Sequence, residues 1–598
     1  MPEYKAPIRD IKFVMQELLN CDNHYQKLGY EDASLDMVDA IISEAAKFAE
    51  QVVAPINQIG DEQGCTWTDG EVTTPDGFKD AYQQYVAGGW PTLAQSVEFG
   101  GQGLPHSLNT AITEIFSSAN HSFAMYPGLS HGALATIEAH GSEQLKNQFI
   151  PKLVAGTWTG TMCLTESHCG TDLGMLRTKA ELNDDGSYSL TGSKIFISAG
   201  EHDLSDNIVH IVIARIPGSP AGSKGISLFI VPKFNVTDDG DISERNAVSC
   251  GSIEHKMGIN ANATCVINFD GAKGYLIGEI NRGLNCMFTF MNVARLGVAT
   301  EGVAAAEASF QGALAYAKDR LQMRSLSGVK NPNGPADAII VHPDVRRMLL
   351  TQKSIAEGGR ALIAYLAQLV DIGHVSTCEE EKAAAETKLA LLTPIAKAFL
   401  TELGLECTGH GVQVFGGHGF IKEWGMEQLM RDTKISCLYE GTTGIQALDL
   451  LARKILGSKG KILKAFASEV TIFCLENADD DAMQEFIQPI KSFGGDWQKM
   501  TEKVGARAIK NPDEIGAASV DYLMYSGYLT LAYFWAKMAK VAQDKLAEGC
   551  EDEAFYQAKI KTARFYFQRI LPRAKGHAAC VENGAQSMMA LDADDFSF

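Results

Sequence analysis

The sequence predicts an α+β protein that is mainly α, with one small antiparallel β region between helical ones. Three observations predict it: helical periodicity over residues 35–153, a switch to short β runs over 157–280, and a return to Ala- and Leu-rich helix from residue 283.

In the first block Met37, Ile41, Ala45 and Phe48 fall on one helical face, and Gly141-Ser142-Glu143-Gln144 starts a further helix after a glycine. The β block is read from the apolar runs 188–191, 208–213, 226–231 and 264–269, with Asn183-Asp184-Asp185-Gly186 and Pro217-Gly218-Ser219-Pro220 as turns. Helix then continues to Gly457, interrupted by a polar stretch at 325–334. Beyond Ser458 lie two more helical signals. One is the aromatic run from Tyr522 to Trp535; the other spans 555–574. The first run is too short, and too interrupted by Gly527 and Thr530, to span a bilayer, yet too apolar to stay exposed, so it is expected to pack against the main body or a second subunit. Four domains are expected: an α-helical domain at 1–156, a β domain at 157–281, a helical bundle at 282–460 and a helical extension at 461–598.

Composition narrows the function. A chain of 598 residues with 45% hydrophobic content can bury several cores, and a net charge of −21 argues against a nucleic-acid surface, which needs a basic patch. The N-terminus lacks the basic-then-apolar pattern of a signal peptide and no run reaches membrane-span length, so a cytoplasmic location is expected. Thirteen cysteines occur without a C-x-x-C pair, which points to reduced, mostly buried thiols and to no metal site. No G-x-G-x-x-G follows an early strand, so a Rossmann site is not indicated.

The most informative segment is Tyr439-Glu440-Gly441-Thr442-Thr443-Gly444-Ile445-Gln446. Thr443 and Gln446 have capping-box spacing, and Leu448, Leu451 and Ile455 then recur on one face. Glu440 thus sits on the loop feeding a helix. Partial desolvation there would raise its pKa and make it a usable base, although an acidic residue before a helix is also what the helix dipole alone would select.

Three further segments accompany it. They are residues 162–172 (Met-Cys-Leu-Thr-Glu-Ser-His-Cys-Gly-Thr-Asp) with 192–200 (Gly-Ser-Lys-Ile-Phe-Ile-Ser-Ala-Gly), residues 316–324, and 413–420 running on to Met430-Arg431-Asp432. With these four in order, the chain resembles the acyl-CoA dehydrogenase family, in particular a long bacterial subgroup that includes fatty acyl-CoA and 3-methylmercaptopropionyl-CoA dehydrogenases.

The resemblance implies that family's fold (helical domain, antiparallel β domain, helical bundle) and FAD lying between the β domain and the second helical domain. Leu164, Thr165, Gly170 and Thr171 would run along the ring and ribityl chain, with Phe196 and Ser198 against the isoalloxazine and Thr442 also at the cofactor. Arg320 and Gln322 would reach the pyrophosphate, and Gln413, Gly416 and Gly417 the adenosine half, of FAD in a neighbouring subunit of a homodimer or dimer of dimers. Glu440 would be the catalytic base, with Tyr439, Gly441, Arg295 and Thr171 at the substrate. His418 is read as a packing histidine. The implied reaction is α,β-dehydrogenation of an acyl-CoA to a trans-2-enoyl-CoA, with electrons passing to electron-transfer flavoprotein. Some relatives carry the base near Asn292 or Arg295, but residues 281–300 contain no Asp or Glu, so Glu440 is expected to stand alone. Ser167-His168-Cys169 replaces a more typical Pro-Gly-Ala, Thr171 a common serine and Gly444 a common glutamine. The alternatives are an acyl-CoA oxidase releasing hydrogen peroxide and a non-metabolic DNA-binding relative, the latter disfavoured by the acidic charge.

Overall fold

The computed structural model describes residues 3–597. The chain divides into two compact units, one of residues 40–297 and one of residues 1–39 with 298–598.

The first unit contains a seven-stranded sheet and the helices that cover it. Helix α1 (Leu35–Phe48) leads into it, followed by α2 (His121–His140) and α3 (Glu143–Val154). Ser142 caps α3 by accepting a hydrogen bond from the Leu145 N–H at 3.3 Å, as the Gly-Ser-Glu start signal requires. The strands are β1 (Trp158–Cys163), β2 (Lys179–Leu182), β3 (Tyr188–Ser198), β4 (Asn207–Ala214), β5 (Ser227–Pro232), β6 (Val248–Ile253) and β7 (Thr264–Ile277). Their order is β1-β4-β5-β7-β3-β2, with β6 also on β7; pairing is antiparallel except between β1 and β4, which run parallel.

Alternation along β4 explains the two-sided core. Val209, Ile211 and Ile213 join the cluster containing Phe149, Trp158 and Phe290, while Val212 and Ala214 join Tyr188, Phe229 and Phe269 on the other face. A β-carbon on Gly160 of β1 would lie 2.4 Å from the Ala133 methyl, so glycine there lets α2 close on the sheet. Gly186 and Gly218 adopt φ of +83° and +84° in the two expected turns. Helix α1 departs in part from expectation: Ala45 is buried as expected, but Val38, Ile42 and Ala46 are buried beside it, while Met37 is exposed. The doublets Met37-Val38, Ile41-Ile42 and Ala45-Ala46 offer two choices of inward face, and the alternative one is used.

The second unit is helical. Helix α4 (Gly283–Asp319) enters it at Val298, followed by α5 (Pro343–Val375) and α6 (Glu379–Phe415). Glycines bring α4 and α6 to backbone contact: a β-carbon on Gly302 would sit 2.5 Å from the Leu400 carbonyl oxygen, and one on Gly404 2.5 Å from that of Gly302. The short helix α7 (Thr443–Leu448) follows the Glu440 loop, and the extension is dominated by α8 (Asp513–Glu548). Tyr522, Tyr525, Phe534 and Trp535 of α8 are buried, Trp535 Nε1 donates to the Ser354 carbonyl of α5 at 3.0 Å, and Gly527 lies against the Phe399 ring of α6. The extension therefore packs on the bundle that carries Glu440.

Residues 1–39, expected with the first helical domain, belong to this unit instead. The buried Asp10 carboxylate is bonded to Arg360 of α5 and to Lys559, and Lys559 also reaches Glu357 at 2.8 Å. Burial alone would raise Asp10, but the two cations hold it at about 2. All thirteen cysteines are free, nine of them buried. Among the described residues no helix is long and apolar enough to cross a membrane, and no group of side chains could hold a metal ion.

Candidate active site

In the helical unit, Glu440 lies on a turn made of two successive left-handed residues, Glu440 at φ +56° and Gly441 at φ +93°. Glycine adopts this region freely; a glutamate does so at a cost, and such strain persists only where surrounding contacts over-determine it. Those contacts are present. The buried Lys397 of α6 donates to the Ser436 carbonyl at 2.8 Å and to the Gly441 carbonyl at 2.7 Å, so one ammonium grips the chain on both sides of Glu440. Gln446 Nε2 donates to the Glu440 carbonyl at 3.0 Å, and Thr443 Oγ1 donates to Glu402 at 2.6 Å. The cap of α7 is Thr442, not Thr443: its Oγ1 accepts from the Ile445 N–H at 3.3 Å. Past Leu448 the helix widens to a π-turn, Asp449–Leu456, which buries Leu450, Leu451 and Ile455 and leaves the expected Leu448 outside.

A second carboxyl lies close to the turn. Glu301, one residue past 281–300, accepts a hydrogen bond from the Tyr439 hydroxyl at 2.5 Å. Burial pushes the Glu301 carboxyl up to about 7, against the opposing effects of the Tyr439 hydrogen bond and the Lys397 charge. Burial and the same carboxyl drive the Tyr439 phenol well above its ordinary value.

In the β-containing unit, Leu164, Thr165, Gly170 and Thr171 lie on the loop after β1, and Phe196 and Ser198 at the end of β3. A bulge in the β3–β7 register places Phe196 at φ +59° with its ring 59% exposed, while Ile197 beside it is buried. An exposed aromatic held in a disfavoured backbone conformation is a mark of a ligand-facing position. The loop is fixed from beneath. Lys194, fully buried, donates to the Leu164 carbonyl at 3.0 Å and to Glu166 at 2.9 Å, and Glu166 also accepts from Thr178 Oγ1 and the Arg177 and Thr178 N–H groups. Burial would raise Glu166, but Lys194 and these donors hold it at about 2.

Arg320, Gln322, Gln413, Gly416 and Gly417 are all exposed in the helical unit. Their two loops meet through aromatic packing: Tyr316 stacks on Phe415 at 4.1 Å and hydrogen-bonds His418 at 2.8 Å, and His418 stacks on Trp424, the packing role expected of it. Gly416 has φ +61°, and no atom lies within 4 Å of a β-carbon built on Gly416 or Gly417, leaving open backbone beside the loop. Asp337 orders the Arg320 loop by accepting the N–H groups of Ser325, Lys330 and Asn331, which with Arg324 hold its carboxyl at about 2. Arg295 is buried on the part of α4 that belongs to the β-containing unit.

The sequence reading assigned no role to Lys194, Glu166, Asp337, Glu301 or Lys397. Two of them carried a signal. Lys194 falls in register with inward-facing Tyr188 and Leu190 on β3, and Lys397 is the one charge in the apolar run 391–400.

Family models describe these same segments. The N-terminal, middle and C-terminal domains of acyl-CoA dehydrogenases match residues 36–157, 161–272 and 281–456, and an acetyl-CoA dehydrogenase C-terminal-like domain matches 464–592. The chain belongs to the acyl-CoA dehydrogenase family of FAD-dependent oxidoreductases and is an enzyme of that class. It is 40% identical to 3-methylmercaptopropionyl-CoA dehydrogenase of Ruegeria pomeroyi, over 98% of this chain and 99% of the relative. It is 34% identical to a butyryl-CoA dehydrogenase of Syntrophomonas wolfei, over 96% of each. Among solved structures, Caenorhabditis elegans ACDH-11 in complex with C11-CoA superposes with a TM-score of 0.76 at 19% identity, covering 100% of this chain and 96% of that one.

Proposed function

We propose that the enzyme removes the α-proton and β-hydride of a short, unbranched acyl-CoA to give a trans-2-enoyl-CoA, with the electrons passed on to electron-transfer flavoprotein. The observation that carries this reading is Glu440, a carboxylate kept on a strained left-handed turn by Lys397, Gln446 and the Tyr439–Glu301 bond. Glu440 is the base. A carboxylate takes the α-proton, and its own backbone N–H donates to the thioester carbonyl, where negative charge develops. Tyr439, Gly441, Arg295 and Thr171 contact the substrate. The chain length follows the relatives named for 3-methylmercaptopropionyl-CoA and butyryl-CoA, both short and linear.

The residues fit FAD. Phe196 offers an exposed aromatic face to a flat ring, and the open backbone at Gly416 and Gly417 with the exposed Arg320 suits a diphosphate. Leu164, Thr165, Gly170, Thr171, Phe196, Ser198 and Thr442 would hold the flavin half, and Arg320, Gln322, Gln413, Gly416 and Gly417 the other half in a second copy, which would make the working form a homodimer or a dimer of dimers. When bound, FAD supplies the two-electron acceptor for the β-hydride. Anaerobic bleaching of the yellow protein with a panel of acyl-CoAs tests the reading. Reduction by butyryl-CoA or 3-methylmercaptopropionyl-CoA, with no peroxide released in air, is the expected result. Failure of every acyl-CoA to bleach the flavin would sink it, and rapid peroxide release would make the enzyme an oxidase.

A further inference from the structure

The Glu440 turn is held from three sides, and one of the holds uses a second carboxyl. Lys397 fixes the backbone at Ser436 and Gly441, Gln446 fixes the Glu440 carbonyl, and Glu301 takes the hydroxyl of the residue immediately before Glu440. The support behind Glu301 is rigid. Its neighbour Gly302 meets α6 at the backbone, where Leu400 and Thr401 leave no room for a β-carbon, and Lys397 lies one turn before Leu400 on that helix. Helix α4 and helix α6 thus reach the same turn from a shared, closely packed contact. A half-buried carboxyl in such a place is dispensable for packing, since an apolar residue would fill it with less desolvation cost.

We propose that Glu301 is a positioning residue for α-proton removal: through Tyr439, and together with Lys397, it holds the left-handed turn that presents Glu440. The inference rests on the reading of Glu440 as the base. Proton transfer depends steeply on placement, so loosening one anchor of a strained turn slows the transfer while leaving substrate contacts made elsewhere in place. The bond acts as a unit, so the two partners' effects must not add.

The holoenzyme variants Glu301→Ala, Glu301→Gln, Tyr439→Phe and the Glu301→Ala/Tyr439→Phe double variant test this with butyryl-CoA as the probe. Glu301→Ala is expected to slow anaerobic flavin reduction about tenfold at saturating substrate with KM within about twofold of wild type. Flavin content stays unchanged, and amide hydrogen exchange in residues 436–442 speeds up. Glu301→Gln keeps an oxygen to accept the Tyr439 hydroxyl and recovers most of the rate. The double variant is no slower than Tyr439→Phe. Wild-type rate and exchange in Glu301→Ala, additive losses in the double variant, or a change confined to KM would each overturn the proposal. Should Glu301→Ala fold poorly, Tyr439→Phe carries the test, because it removes a single oxygen, the one bonded to Glu301, and must show the same slow reduction and faster exchange. Glu440→Gln separates the two levels: if it reduces flavin at the wild-type rate, the base is misassigned and this proposal falls with it. If it is inactive while Glu301 and Tyr439 variants are normal, the base stands and the positioning role alone falls.

Discussion

Two loops in this molecule are each held by a lysine withdrawn completely from water, and the two lysines are satisfied differently. Lys194, under the loop of Leu164–Thr171, is paired with Glu166, whose carboxyl it keeps ionised to about pH 2. Lys397, behind the Glu440 turn, donates to two backbone carbonyls. These carbonyls carry no net charge, and the Lys397 charge also lowers the neighbouring Glu301 against burial. The first arrangement is a closed ion pair and suits a loop that has only to keep its shape. The second ties the backbone together on either side of Glu440 and suits a turn that must be held in a disfavoured conformation.

The sharpest break between the two loops is chemical. Glu440→Gln is nearly isosteric yet cannot accept a proton, so flavin reduction should fall by at least ~10³-fold while FAD remains bound. Stopped-flow reduction and the flavin spectrum check both halves; a variant that bleaches near the wild-type rate puts the base elsewhere.

Removing the lysines should separate stability from rate. Lys194→Met strands the Glu166 carboxylate in the interior and is expected to cost about 3–5 kcal/mol of stability. Lys397→Met leaves two carbonyls without their donor, about 1–3 kcal/mol, and shows mainly as slower flavin reduction. Denaturant titrations set beside single-turnover rates decide; equal losses of stability would erase the distinction drawn between the loops.

The order of elements was legible because periodicity survives in the sequence: the apolar run 208–213 became the fully buried strand β4, and the aromatic run 522–535 became the buried part of α8. The Glu440 turn was legible for a local reason, a carboxylate between an apolar stretch and a helix start. What holds the turn was not. The apolar run around Lys397 hints at burial, but what its ammonium holds shows only once α6 is seen packed against the turn. Glu301 escaped because its role depends on the Gly302–Gly404 contact, a pairing across 102 positions that no local pattern announces. The inward face of α1 was ambiguous because each apolar step is a doublet, and the cap of α7 because Thr442 and Thr443 are adjacent and chemically alike.

Acidity offers a smaller effect that distinguishes the two carboxyls. Glu301 is raised from 4.5 to about 7, so between about pH 4.5 and pH 7 the folded protein holds a proton there that the unfolded chain releases. Its contribution to stability is complete below about pH 4.5 and is lost as pH rises through 7, by roughly 3 kcal/mol at most. Glu166, depressed to about 2, behaves oppositely: its contribution is complete above about pH 4.5 and is lost as pH falls through 2. Glu301→Gln should flatten the stability profile between pH 5 and pH 7 and leave the acid limb unchanged; a profile that keeps its slope would show that the proton is carried by another group.

The smallest expected effect concerns Thr442, which has two candidate roles. As the cap of α7 its Oγ1 accepts the Ile445 N–H, and a threonine cap replaced by alanine costs about 1 kcal/mol. As a flavin contact its hydroxyl would instead govern cofactor retention. Thr442→Ala and Thr442→Asp separate these, because aspartate also caps a helix and its charge favours a helix N-terminus, yet as an acceptor-only group it cannot donate the hydrogen bond that a threonine hydroxyl could offer a flavin. If capping is the main role, alanine lowers the melting temperature by a few degrees and aspartate restores it, with flavin content constant in both. If aspartate restores stability but sheds flavin, Thr442 serves both the helix and the cofactor, and the helix start behind Glu440 becomes part of the flavin site.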